Sequence, residues 1–238
     1  GLSLVAEVDG RIAGAVFGND FATSAYVSLM GVDPALHRRG VGTALMAELM
    51  AWCDERGFAD VRLDATPAGA PLYERFGFVD AGETVVLERE RFGAWSGNLG
   101  AALVRAARDG DLAAILALDR RVFGADRSAM LEPLLAQYPA LIATDQRGYV
   151  VMQRSDVRAM VGPWVAPDAG TARALLAAAL DGLGRVPTKL FVPGGNAYAL
   201  ALAAKAGFVA QRALRHMIRG ACSLPSAALF GRANLGQG

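Results

Sequence analysis

At 238 residues the chain is long enough for one or two domains with substantial cores. Hydrophobic residues at 53% and charged residues at 20% fit a folded globular chain and exclude a disordered one. A net charge of +1 excludes any global pull toward nucleic acid or an anionic membrane, and the two cysteines, Cys53 and Cys222, lack the spacing of a disulfide framework or a zinc site. No metal site is expected. No apolar run reaches spanning length and the first residues lack the order of a signal peptide, so the expectation is a cytoplasmic protein with no membrane partner.

The chain opens on "LVAEVDGRIAGAVFGND", where Asp9-Gly10 between two apolar-rich segments predicts a hairpin, because that turn needs positive φ. "SAYVSLMGV" predicts the next strand, with a bulge at Met30-Gly31. Leu45, Leu49, Trp52 and Cys53 then fall on one face of a helix that Gly57 ends. "DVRLDA" predicts a strand, and "TPAGAPLYERFGFVDAG" a Pro/Gly loop and a short helix stopping at Gly77, followed by the strand "ETVVLERE". The charge run beginning at Glu88 is expected to be a solvated strand edge.

The stretch "VDPALHRRGVGTALMAELMAW" places a strand end, a glycine-bearing loop and a helix start in succession. Such a junction presents unpaired backbone N–H groups and the positive end of a helix dipole to one spot. Gly40 and Gly42 leave room for a phosphate to approach the main chain, and Arg38 and Arg39 supply permanent charge. The arrangement predicts an anion site of pyrophosphate type. A Walker loop is excluded because no Lys-Ser/Thr follows the second glycine, and a dinucleotide fingerprint because Leu45 stands where a third glycine is needed.

Three features together resemble the GNAT superfamily of acetyl-CoA-dependent N-acetyltransferases. "VDPALHRRGVG" is similar to that family's pyrophosphate loop, with His37 standing where Gln or Arg is usual. "APLYERFGF" resembles its late helix, in which a Tyr four residues before Gly-Phe serves as general acid; Tyr73 holds that place. The order of elements over roughly the first ninety residues also matches. The resemblance implies an α/β fold with a mixed sheet and acetyl-CoA as cosubstrate. It implies a cofactor-binding set of Met30, Gly31, Val32, His37, Arg38, Arg39, Gly40, Val41, Gly42, Thr43, Thr66, Leu72 and Phe76. Val32 would bond the pantetheine arm like an added strand, and a backbone N–H freed at the Met30-Gly31 bulge would meet the oxyanion. Ser28 and Asp64 are candidates for the substrate side. Asp64 also reads as a strand-end residue bonded to its own loop.

From about Leu103 the pattern starts again: strand and helix in "LVRAARDGDLAAILALDRRVFG", a second helix, a hairpin, a strand, the helix "GTARALLAAALDGLG", the strand "TKLFVP", a helix ending "KAGFV" and a last strand. The expected layout is a GNAT domain at 1–92, a linker at 93–101 and a second GNAT-like domain at 102–238. Against the second copy, the first is short by about thirty residues at its front. The second copy has no Arg pair or Gly-x-Gly in "VAPDAGTARAL", and Ala203 stands where Tyr73 does in the first, so it is expected not to bind CoA productively. "LDATPAGAPLYERFGF" is similar to the signature of a bacterial subgroup with this active-plus-degenerate layout. Trp52, Cys53 and Trp164 are read as core, and His216 as a structural histidine without partners.

The reading is a tandem enzyme whose first domain moves acetyl from acetyl-CoA to a primary amine by direct attack, acting on a small-molecule or peptide acceptor as a monomer or homodimer. The alternative is a non-catalytic acyl-CoA-binding or sensing module. A nucleic-acid binder lacks a basic stripe with interleaved aromatics.

Overall fold

The computed structural model describes residues 1–90, 103–221, 227–236 and 238. In chain order its elements are β1 (Leu2–Val8), β2 (Arg11–Phe21), β3 (Ser24–Val32), α1 (Val41–Arg56), β4 (Asp60–Ala65), α2 (Ala70–Glu74), β5 (Val79–Arg89), β6 (Val104–Ala106), α3 (Leu112–Phe123), α4 (Ser128–Gln137), β7 (Ala140–Ala143), β8 (Tyr149–Arg154), β9 (Ala159–Val165), α5 (Ala169–Leu183), β10 (Thr188–Pro193), α6 (Ala197–Lys205), β11 (Val209–Gly220) and β12 (Leu229–Gly231). The expected linker at 93–101 and Cys222 lie outside the described residues. Among those described, no helix is long and apolar enough to cross a membrane.

Two compact units form, and they exchange segments. The first holds Gly1–Ala81, Leu214–Ser223 and Leu235–Gly238; the second holds Gly82–Ala213 and Leu224–Asn234. The chain therefore passes from one unit to the other within β5 and within β11.

In the first unit the strands run in the order β1, β2, β3, β4 and the later part of β11. Asp9 and Gly10 take φ of 52° and 73°, as the hairpin turn requires. β3 and β4 are parallel, Ser24 to Val27 against Asp60 to Leu63, and β11 adds antiparallel, Arg215 to Gly220 against Ala65 to Asp60. The strand alternation puts Val16, Ala25, Val27, Val61, Leu63, Ala65 and Met217 on one face. Leu45, Met46, Leu49 and Cys53 of α1 cover that face, and Gly57 ends the helix in the left-handed conformation at φ 68°.

The second unit has the order β5, β10, β9, β8, β7, β6, with β12 paired to β9. Leu175, Leu176, Ala179 and Leu180 of α5 and Leu202 and Ala203 of α6 pack on Val150, Val161, Leu190 and Val192. Arg127, Asp119 and Tyr149 form a fully buried cluster, with Arg127 Nη2 donating to Asp119 Oδ1 at 2.6 Å and its guanidinium 3.8 Å from the Phe123 ring. Gly77 and Gly207, the paired "GFV" positions of the two copies, both take positive φ, 83° and 88°.

The run from Glu88 is not a solvated edge. β5 pairs with β10 from Thr84↔Pro193 to Arg89↔Thr188, Glu88 accepts from Lys189 Nζ at 2.6 Å, and Arg89 is buried. A charge run reads as solvated only while its partner strand, a hundred residues away, is unknown.

Candidate functional site

The strand–loop–helix junction sits in the first unit. β3 and β4 stay paired only as far as Val27 and Leu63, while β3 continues to Val32 against β2. Among the described residues no strand takes the edge of β3 that β4 leaves. The result is a wedge with its open end at Val32. Asp33 then caps a one-turn 3-10 helix, accepting from the Ala35 N–H at 2.9 Å, and the chain turns back through His37, Arg38 and Arg39.

Two backbone choices build the loop. Arg38 takes φ 60°, a cost that a non-glycine residue rarely meets, and Gly40 takes φ 85° as the N-cap of α1. Glycine at the N-cap brings no side-chain oxygen, and the first turn of α1 carries no acidic residue. The N–H groups of the first turn and the dipole's positive end thus remain for an external anion. Arg38 and Arg39 are exposed beside it.

Several elements converge on the same point. A Cβ at Gly42 would lie 3.5 Å from Leu72 Cδ2 of α2, 3.5 Å from Met30 Cε and 3.6 Å from Val32 Cγ2 of β3. Arg75 Nη2 donates to Thr43 Oγ1 at 3.4 Å, adding a third cation that the sequence reading did not single out. Gly31, exposed on β3, would hold a Cβ in open space. Thr66 Oγ1 accepts from the Gly69 N–H at 3.2 Å and so starts α2, while Phe76 is half-buried behind it.

Tyr73 projects from α2 into the core shared with α1. It is 8% exposed and meets Phe78 edge-on at 6.1 Å between ring centres. Burial raises its phenol above the ordinary value, so it keeps its proton through neutral and mildly basic pH. α2 itself is pinned by Arg215 of β11, which donates to Glu74 Oε1 at 2.7 Å and to both oxygens of Asp80.

Three expectations need correction. The bulge falls at Ser28, not at Met30-Gly31: Gly18 faces Val27 and Phe17 faces Leu29, whereas Met30 and Gly31 pair regularly with Val16 and Ala15. Ser28 Oγ donates to the Phe17 carbonyl at 3.3 Å, a bond that the extra residue makes possible. Asp64 is tied across the sheet rather than only at its own strand end: its fully buried carboxylate accepts from Tyr26 Oη at 2.6 Å and from His216 Nδ1 at 3.1 Å. His216 is therefore not partnerless, and its ring also stacks on Tyr26 at 6.5 Å. At the loop itself no expectation changes: His37 Nε2 donates to the Val32 carbonyl at 3.0 Å, so the side chain at this position holds the strand end.

Residues 2–92 and residues 115–231 each match a family model described as Acetyltransferase (GNAT) domain. The chain is a tandem member of the GNAT acetyltransferase family. This GNAT protein is 25% identical to a putative acetyltransferase from Pyrococcus horikoshii, with a TM-score of 0.84 over 99% of this chain and 80% of that one. A tandem GNAT protein from the clavulanic acid biosynthesis pathway shares the fold, with a TM-score of 0.63 at 17% identity over 93% of this chain and 83% of that one. Among curated relatives, the Bacillus subtilis (strain 168) protein called Uncharacterized N-acetyltransferase YitH is 30% identical over 63% of this chain and 54% of its own length. The Mycothiol acetyltransferase of Clavibacter sepedonicus is 40% identical over 37% of this chain and 30% of its own. The chain spans about half or less of the length of these curated relatives.

Proposed function

We propose that the first unit transfers acetyl from acetyl-CoA to a primary amine, and that the reaction is a direct attack in a ternary complex. The observation that carries the reading is the wedge between β3 and β4 opening straight onto the uncapped, arginine-flanked start of α1. The N–H groups of Val41, Gly42 and Thr43, with Arg38, Arg39 and Arg75, take the pyrophosphate. The edge of β3 toward Val32 receives the amide-bearing arm, with Met30 and Leu72 against its apolar parts.

The amine nitrogen attacks the thioester carbonyl carbon, and the tetrahedral oxyanion collapses with loss of the C–S bond. The thiolate that leaves takes the phenolic proton of Tyr73, and the ammonium formed on the new bond loses its proton to water. Asp64 is committed to Tyr26 and His216, so its part is to fix β4 against β3 and β11 at the floor of the wedge. The acceptor is a small-molecule or peptide amine, and the protein works in the cytoplasm.

Free-thiol release from acetyl-CoA across an amine panel tests the reading, with Tyr73→Phe as control. Turnover of at least one amine, lowered in the variant, supports it. CoA binding without turnover of any amine would favour a sensing module, a reading to which the burial of Tyr73 in the core lends weight.

A further inference from the structure

In the second unit, β9 and β10 run parallel from Ala159 and Thr188 to Val161 and Leu190 and then separate, as β3 and β4 do in the first unit. If the first wedge receives acyl-CoA, its counterpart should be open for the same purpose, and it is not. We infer that the second slot is occupied by the chain's own segment 228–233, laid in as a strand, so that the protein has one acyl-CoA site per chain; the count rests on the function proposed above.

The segment bonds to both walls of the wedge. Toward β9, Leu229 faces Val165 and Gly231 faces Trp164, and the Ala166 N–H donates to the Ala228 carbonyl at 3.1 Å. Toward β10, the Arg232 N–H donates to the Phe191 carbonyl at 2.7 Å. From β8, Gln153 Nε2 donates to both the Gly162 carbonyl at 2.6 Å and the Ala233 carbonyl at 3.0 Å, tying segment and strand together.

Packing is equally complete. Phe230 is 4% exposed, with its ring 5.1 Å from that of Trp164. Gly162 sits at φ 150°, and a Cβ there would overlap the Arg232 carbonyl oxygen, so the close passage of the segment requires glycine. A Cβ on Gly231 would come within 3.3 Å of Trp164 Cβ. Main chain and one aromatic ring fill the opening to contact. An extended peptide offers a free strand edge the same amide bonds that a pantetheine arm would, which is why one can stand in for the other.

The anion end is closed by the same logic. Where α1 begins at Gly40 with no capping side chain, α5 begins at Asp168, whose carboxylate accepts from the Thr171 N–H at 2.8 Å and from its hydroxyl at 3.3 Å. A carboxylate already satisfies that helix start and repels a pyrophosphate.

Hydrogen exchange read by mass spectrometry on the full chain, together with a calorimetric titration of acetyl-CoA, tests the inference. Residues 228–233 are expected to exchange as slowly as β9, equally with and without saturating acetyl-CoA, with one binding site. Phe230→Asp should speed exchange of that segment by about 100-fold while leaving the single CoA site in place; Gly231→Val serves if the first variant does not fold. Fast exchange of 228–233 in the natural chain, faster exchange on adding acetyl-CoA, or two sites of similar affinity would each overturn the inference. Absence of any CoA binding alongside slow exchange would instead overturn the proposed function and the count of one, leaving the strand's place in the second slot supported.

Discussion

His216 Nδ1 lies 3.1 Å from Asp64 Oδ1 although the two residues are 152 positions apart, one on the second strand of a parallel pair and the other on a strand reached only after a whole further domain. Tyr26 completes the cluster from β3, so three strands at the floor of the candidate site are joined by one carboxylate. Loss of either donor removes one of the hydrogen bonds that the buried carboxylate accepts. His216→Ala is expected to cost about 2 kcal/mol of unfolding free energy by denaturant titration, and Tyr26→Phe less. The two losses should be non-additive by at least about 0.5 kcal/mol in a double-mutant cycle, because both act on Asp64. Strict additivity would mean that the cluster is not a unit.

Gly42 separates stability from binding. A methyl group there meets only ordinary van der Waals neighbours, and alanine is the better helix former by about 1 kcal/mol. Gly42→Ala should therefore hold or raise the melting temperature while, on the function proposed, weakening acetyl-CoA by roughly tenfold, since the added Cβ, facing Met30, Val32 and Leu72, narrows the opening that the cofactor would enter. Gly40→Ala behaves differently, because φ 85° is strained for any residue with a Cβ. It should lose about 1 kcal/mol of stability as well as affinity.

Tyr73→Phe should lower kcat by about 100-fold with little change in KM, the signature of a proton donor rather than a binding contact. In the proposed mechanism the active form is the protonated phenol, and burial raises its pKa above the ordinary value. With the rate referred to the unprotonated amine, ionisation of Tyr73 should consequently cause no loss until pH has passed the ordinary tyrosine value of 10.0. The same sign applies to folding: the contribution of the buried phenol is whole below the unfolded value and is lost as pH rises past it.

Cys53, 1% exposed on the buried face of α1, has its thiol pushed up to about 12, chiefly by burial and then by the charge of Asp54. It stays a neutral thiol across the working range, and its contribution to stability is complete below the ordinary value of 9.0 and fades as pH climbs toward about 12. In a Cys222→Ser background the native protein should not react with a thiol reagent until it unfolds, and no acetyl adduct should form on Cys53 during turnover. A rapid native reaction would contradict the burial of this side chain, and a trapped acetyl adduct on Cys53 would undo the direct-attack scheme.

Much of the architecture is local enough to be read from residues. The Asp9-Gly10 turn, the apolar face of α1, the glycine loop and the short helix bearing Tyr73 all declare themselves through turn chemistry and period. What stays hidden is non-local. Nothing in "RHMIRG" says that β11 completes the sheet of the first unit, and a histidine there reads as solitary until Asp64 is beside it. The Ser28 bulge depends on register against β2, which the glycine at position 31 misleads. β12 is three residues of "SAALFGRAN", too short for an alternation signal, and is defined by the wedge that holds it. The expectation that the second copy binds no CoA came from missing loop residues; the segment that fills its slot could not be seen there.

The central claim is that the loop from Arg38 to Thr43 holds acetyl-CoA, and calorimetric titration of acetyl-CoA against desulfo-CoA and ATP tests it most directly, on the natural chain and on Gly42→Glu. The account predicts micromolar binding of both CoA compounds at one site, much weaker ATP, and loss of binding in the variant with its fold unchanged. Equal binding by the variant, or none by the natural chain, would contradict it.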